Sequence, residues 1–162
     1  MITVSDSCFA GRRQDLSGPA VAARLEANGF TVDAILVVSD DVTQIATVLR
    51  QQAVGARLIV TTGGTGIAAR DVTPEATRSV CERVLDGFAE RMRSEGLKET
   101  PLAPLSRAIC GTLGSSLIVN VPGSPRGAVQ SLDAVLNLIP HALALLAGDT
   151  EHDSGQADPR TD

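Results

Sequence analysis

Three short runs rich in β-branched and aliphatic residues, at positions 2–5 (ITVS), 30–38 (FTVDAILVV) and 57–61 (RLIVT), alternate with stretches whose apolar residues recur at helical spacing. This alternation constrains the chain more than any other feature. Strands joined through a helix must cross over the sheet, and the crossover is right-handed, so successive strands lie parallel and the helices cover both faces. The expected fold class is α/β, a doubly wound and mostly parallel sheet with helices on both faces and a small hairpin.

Local signals place the elements. Ser17-Gly18-Pro19 opens a helix with Ser17 as N-cap, and Asn28-Gly29 ends it. The run 30–38 is expected to be a largely buried strand. Val42, Ile45, Ala46, Val48, Leu49 and Ala53 form one helical face, with Asp40 or Asp41 placed to cap it. Thr73-Pro74-Glu75 predicts a cap at Thr73 and a helix to about Arg83, followed by a shorter helix over 86–95. Pro101 and Pro104 predict an extended stretch over 100–104. Residues 106–112 and 115–121 predict the hairpin, and residues 128–138 and a segment beyond Pro140 predict two last helices. No linker interrupts residues 1–148, which are expected to form a single domain, and the polar residues 149–162 are expected to be a disordered tail without a catalytic role.

Composition removes several classes of function. With no Trp, no Tyr and 3 Phe, an aromatic platform for single-stranded nucleic acid is excluded, and a net charge of −5 with scattered basic residues lacks the footprint of a DNA-binding surface. The start MITVSD has no basic leader and the longest apolar stretch, 142–147, is too short for a bilayer, so no membrane partner is expected. The cysteines number 3, without CxxC spacing, and the histidines number 2, which predicts neither a disulfide framework nor a zinc site and fits the cytoplasm.

The chemistry points to the ends of the strands. Thr62, Gly63, Gly64, Thr65 and Gly66 follow an apolar strand directly, and such a glycine turn can curl its N–H groups inward around phosphate oxygens. It is neither a Walker A loop nor a GxGxxG fingerprint, and by itself it is equally a tight strand-to-helix turn. Asp40 follows the second strand and Asp71 follows the glycine turn. In one parallel sheet both carboxylates would project at the edge where ligands bind, the donor set that Mg²⁺ takes together with substrate phosphates. Asn120, Pro122, Gly123, Ser124 and Pro125 form a rigid turn ending in a helix cap, whose N-terminus favours an anion. Ser5, Asp6, Asp15 and Ser17 bracket a polar loop after the first strand, and Arg107 serves either a phosphate or an internal ion pair. No nucleophile stands with a base: Cys81 falls in a helix, Cys110 in a strand, and Cys8 has no evident base beside it.

The segments VSDS, SGP, SDD, TTGGTGIAARDVTPEAT, LSRAICG and NVPGSPRGA, in this order, resemble the molybdenum cofactor biosynthesis family that contains molybdopterin adenylyltransferase (MogA), MoaB and the gephyrin G domain. The resemblance runs over residues 3–147. It implies a homotrimer that binds molybdopterin and Mg-ATP and transfers AMP to the terminal phosphate of the pterin with release of pyrophosphate. It further implies Asp40 and Asp71 as catalytic and Mg²⁺-binding, ligand contacts in 62–66, at Ser106 and in 122–125, and hand-over of the product to a molybdenum insertase. A MoaB-like binding or scaffold protein without chemistry, and an unrelated nucleotide-binding α/β protein, remain open as alternatives at this point. Asp41 stands where relatives often carry Glu.

Overall fold

The computed structural model describes residues 1–149. The elements run β1 (Ile2–Val4), α1 (Asp6–Phe9), α2 (Ser17–Glu26), β2 (Leu36–Val38), α3 (Val42–Gln52), β3 (Leu58–Thr62), α4 (Thr73–Val80), β4 (Arg83–Val84), α5 (Asp86–Gly96), β5 (Cys110–Leu113), β6 (Ser116–Val121), α6 (Pro125–Val135) and α7 (Ile139–Leu146). Short 3-10 turns lie at Ala103–Leu105 and Leu136–Leu138.

The strands form one 6-stranded sheet in the order β2-β1-β3-β6-β5-β4. β2, β1, β3 and β6 are mutually parallel, whereas at the far edge β5 runs antiparallel to β6 and β4 antiparallel to β5. The expected parallel sheet and hairpin are both present, the hairpin turning at Gly114-Ser115 between the paired Leu113 and Ser116. The chain moves from β1 outward to β2 and then back past β1 to β3. The order therefore reverses between β1 and β3, and a crevice opens beyond their carboxyl ends.

Each face has its own core. Val21 and Leu25 of α2, Ala89 and Met92 of α5 and Leu132, Val135 and Ile139 of the last helices pack on Val60, Leu117, Val119 and Val121. Ile45, Ala46 and Leu49 of α3 and Ala76 and Val80 of α4 pack with Ile2, Val4, Ile59 and Ile118 on the other side. The alternation of β6, Leu117, Val119 and Val121 to one face and Ile118 to the other, follows from the two-residue period of a strand buried on both sides. The run Pro125–Leu146 is long and apolar enough to cross a bilayer by composition, a length that residues 142–147 alone did not suggest. It is divided into α6, the 3-10 turn and α7, and one side of it, with Ala128, Leu132, Val135 and Ile139 fully buried, packs against the sheet.

Several sequence expectations are corrected. Of residues 30–38 only Leu36–Val38 form a strand, and because β2 is an edge strand just Val38 among them is buried. Ser17 does not cap α2 but is its first residue, with Leu16 at the cap position, and the Asp15 carboxylate one residue earlier accepts from the Gly18 amide at 3.0 Å and from Ser17 Oγ at 3.3 Å. Thr73 lies inside α4, with Val72 at the cap and the Thr73 hydroxyl donating to the Gly63 carbonyl. α4 ends at Val80, and Arg83–Val84 turn to pair with β5, a strand too short to show a period. Residues 100–104 include the start of a 3-10 turn, and β5 begins at Cys110. Apart from Asp149, the expected tail lies outside the described residues.

Candidate active site

The four parallel strands direct their carboxyl ends to one rim, and the segments that follow β1, β2, β3 and β6 line a cleft of about 700 Å³ there. The glycine turn forms its floor. Gly63 and Gly64 both have positive φ, 100° and 61°, in the region L side chains avoid. A Cβ on Gly63 would lie 2.3 Å from the Val4 carbonyl oxygen, so the β3 end can meet β1 this closely only as glycine. Among the described residues the amides of Gly64, Thr65 and Gly66 have no acceptor, while the Gly63 amide donates to the Val121 carbonyl at 3.1 Å. Three successive unpaired N–H groups at a concave turn attract anionic oxygens.

The floor is pinned from below and from the side. The amide of Thr73 donates to the Gly64 carbonyl at 3.0 Å and that of Arg107 to the Thr65 carbonyl at 2.9 Å. The Arg107 guanidinium holds the Gly66 carbonyl through Nε at 2.6 Å, the Asp71 carbonyl through Nη2, and Glu75 through Nη1. Arg107 is thus the internal partner of the two roles the sequence allowed. The Pro122–Pro125 turn packs onto the glycine turn: a Gly123 Cβ would stand 3.2 Å from Gly63 Cα, and Thr62 Oγ1 donates to the Pro122 carbonyl at 2.6 Å. Ser124 caps α6, its Oγ accepting from the Gly127 amide at 3.3 Å.

Both strand-end carboxylates reach this floor. Asp40 Oδ1 lies 3.2 Å from the Cβ position of Gly64, and Asp71 Oδ2 lies 2.7 Å from that of Gly66. Asp71 Oδ2 also accepts from the Ala68 amide at 2.9 Å. Asp40 Oδ2 accepts from the Asp6 amide at 2.8 Å, and Asp41, not Asp40, caps α3 through the Gln44 amide. Partial burial raises the pKa of Asp40, as do the negative charges of Asp6 and Asp71, against the Asp6 amide and the Arg70 guanidinium. Among the described residues no cluster of three or more His, Cys, Asp or Glu could hold a metal by itself. Two carboxylates are instead the oxygen donors that a hard divalent ion takes when its remaining ligands are water and substrate phosphate, and the unpaired amides are left for the phosphate oxygens, so the residues fit Mg²⁺.

Most of the sequence-selected residues come together here. Ser5, Asp6, Ser17, Asp40, Thr62 to Gly66, Asp71, Ser106 and Pro122 to Pro125 all line the cleft. Asn120 does not. It is fully buried, donating from Nδ2 to Thr61 Oγ1 at 2.9 Å and Thr77 Oγ1 at 3.0 Å and accepting from the Ile109 amide through Oδ1. It faces α4 because alternation along β6 turns position 120 away from the cleft, and its assignment to ligand binding is withdrawn. The Thr62 hydroxyl, already bonded to Pro122, is no free donor. Ser5 Oγ accepts from the Cys8 amide as the N-cap of α1.

The sequence reading missed Met92, Arg93, Leu102 and Leu105, which also line the cleft, as do Arg13 and Arg70. α5 and the segment around the 3-10 turn contribute the first four from a distant part of the chain, and nothing in their local pattern signals a ligand. Cys8 also lines the cleft.

A family model described as a probable molybdopterin binding domain matches residues 1–141. A molybdopterin adenylyltransferase of Helicobacter pylori strain J99 is 38% identical over 92% of this chain and 87% of its own length. Among solved structures, the molybdopterin biosynthesis enzyme MoaB from Thermus thermophilus superposes with a TM-score of 0.85 at 50% identity, covering 91% of this chain and 94% of that one. The molybdopterin biosynthesis Mog protein from Mycobacterium ulcerans does so with a TM-score of 0.84 at 38% identity, covering 90% and 95%. With the glycine floor, the two flanking aspartates and the sheet order all in place, the chain belongs to the molybdenum cofactor biosynthesis family defined by this molybdopterin binding domain.

Proposed function

We propose that this protein is a molybdopterin adenylyltransferase: it binds Mg-ATP and molybdopterin in the cleft, transfers AMP to the terminal phosphate of the pterin and releases pyrophosphate. The observation that carries the reading is the run of unpaired amides at Gly64, Thr65 and Gly66 with the carboxylates of Asp40 and Asp71 beside it.

The reaction needs no enzyme nucleophile. A phosphate monoester is largely dianionic near neutral pH, its second pKa being about 6, so its oxygen attacks the α-phosphorus without a general base. The new P–O bond forms as the bond from the α-phosphorus to the bridging oxygen breaks, and pyrophosphate carries away that electron pair. The work left to the protein is to bring two anions together. The amides of Gly64, Thr65 and Gly66 receive phosphate oxygens, and Arg13 and Arg70 of the cleft lining offset the negative charge of the triphosphate. Asp40 Oδ1 and Asp71 would hold Mg²⁺, which, when bound, screens the α-phosphate from the incoming anion. Ser5, Ser17, Thr65, Ser106 and Ser124 provide polar contacts along the walls, and Met92, Leu102 and Leu105 an apolar surface.

The family resemblance extends the reading to a cytoplasmic homotrimer that passes the adenylylated pterin to a molybdenum insertase. Light scattering checks the trimer. For the reaction, purified protein is incubated with molybdopterin and Mg-ATP, and adenylylated pterin and pyrophosphate are measured. Equimolar formation of both is expected. Pterin binding without pyrophosphate release would make the protein a carrier, and tight nucleotide binding with no pterin binding would place it outside this chemistry.

A further inference from the structure

Asp6 and Asp40 exchange hydrogen bonds across the ends of two neighbouring strands. The Asp6 amide donates to Asp40 Oδ2 at 2.8 Å, and the Asp40 amide donates to Asp6 Oδ1 at 3.0 Å. The β1–β2 ladder makes its last pair at Val4 and Val38, with one further bond from the Ser5 amide to the Val38 carbonyl at 2.9 Å. Beyond this point the backbones diverge, one into α1 and the other toward α3, and side chains take over the pairing. The Asp40 peptide is held on its other side as well, because the Asp41 amide turns back to the Ser39 carbonyl and the Asp41 side chain caps α3.

The consequence lies in what remains of the Asp40 carboxylate. With Oδ2 committed to the Asp6 amide, rotation about the last side-chain bond is arrested and Oδ1 alone is left beside Gly64. A small divalent ion with near-octahedral demands is better served by one fixed oxygen than by a rotating pair that can chelate at a strained angle.

We propose that Asp6 is a positioning residue, which fixes the Asp40 peptide and carboxylate so that a single oxygen, Oδ1, is offered to the divalent ion and nucleotide in the cleft. This rests on the adenylyl-transfer reading of the same cleft, and replaces for Asp6 the direct substrate contact expected from the sequence. Asp6 acts through its carboxylate oxygen on the Asp40 amide and through its own amide on Oδ2. What it requires at position 6 is an acceptor of the right length, not a negative charge.

The test compares wild type, Asp6→Ala, Asp6→Asn and Asp40→Asn. Mn²⁺ is the probe, its binding followed by electron paramagnetic resonance in the presence of α,β-methylene ATP, with kcat and KM of adenylyl transfer measured alongside and thermal melting as the control for folding. Asp6→Ala is expected to weaken Mn²⁺-nucleotide binding about tenfold, the worth of one hydrogen bond to a charged group, and to lower kcat while leaving the KM for molybdopterin unchanged. Asp6→Asn keeps an oxygen acceptor for the Asp40 amide and is expected to recover binding to within about threefold of wild type. If Asp6→Ala does not fold, Asp6→Ser, too short to reach the Asp40 amide, takes its place. Asp6→Asn binding as poorly as Asp6→Ala would show that the charge itself is needed and overturn the positioning role. So would equal binding by all Asp6 variants and wild type while Asp40→Asn binds weakly, a result that leaves the reading of the cleft standing. Absence of metal-dependent nucleotide binding in wild type overturns both.

Discussion

The Arg107 guanidinium holds the backbone carbonyl of Asp71 and not its carboxylate. With Gly66 and Glu75 as its other partners, Arg107 closes both ends of the loop between the glycine floor and α4, leaving the acidic side chain of Asp71 for the cleft. The planar fork of arginine suits these three acceptors, and an ammonium group cannot reach them together. Arg107→Lys is therefore expected to lower kcat about 10- to 100-fold by loosening Asp71, with a smaller change in ATP binding. Steady-state kinetics on the folded variant checks this; an unchanged kcat would show that the loop is held without Arg107.

Asp40 is held in a site that disfavours its charge. Its pKa is raised in the folded protein, so the native state binds more protons than the unfolded chain between the ordinary and the raised value. Stability accordingly falls as pH rises through that window, and near pH 7 the ionised carboxylate is a net burden on the fold. Asp40→Asn keeps an acceptor for the Asp6 amide and removes the charge. It is expected to raise the melting temperature at pH 7 by no more than a few degrees while abolishing AMP transfer. A lower melting temperature would show that the carboxylate stabilises the fold on balance.

Asn120 is a structural residue by its contacts. Asn120→Leu preserves most of the volume but leaves the Ile109 amide and the hydroxyls of Thr61 and Thr77 without their buried partner. A loss of about 2–3 kcal/mol is expected in urea unfolding, with kcat per folded molecule unchanged. Loss of activity without loss of stability would return Asn120 to the site.

The cysteines should differ sharply in reactivity. Burial pushes the Cys81 thiol up to about 11 and raises that of Cys110 further. Cys8 lines the cleft. Iodoacetamide at pH 7.5 is expected to label the native protein at Cys8 alone, and Mg-ATP should slow that labelling. Mass spectrometry locates the adduct; labelling of Cys110 in the native state would contradict its burial.

Much of the cleft was readable from local sequence. Glycines directly after an apolar strand, aspartates after the second strand and the glycine turn, and Ser124 before a helix each act within a few residues of their own position. Asp15, not Ser17, takes the free Gly18 amide at the start of α2, held there by the Thr3 hydroxyl, which donates to it at 2.7 Å from 12 residues away. Phe30 to Ile35 looked like a buried strand because β propensity does not report whether a neighbour exists on both sides, and β2 has one neighbour only. The cleft-lining Met92, Leu102 and Leu105 had no local signal, since apolar residues read as core wherever they stand.

By itself the sequence determined the alternation of strand and helix, the glycine turn and the cap at Ser124, and narrowed the cap of α3 to Asp40 or Asp41, because hydrophobic period, backbone freedom and short side-chain bonds are properties of neighbouring residues. Tertiary structure decided the rest. The exchange between Asp6 and Asp40 joins positions 34 residues apart, and the direction of Asn120 depends on which face of β6 meets α4. Both are settled by strand order and register, which exist only once the sheet has assembled.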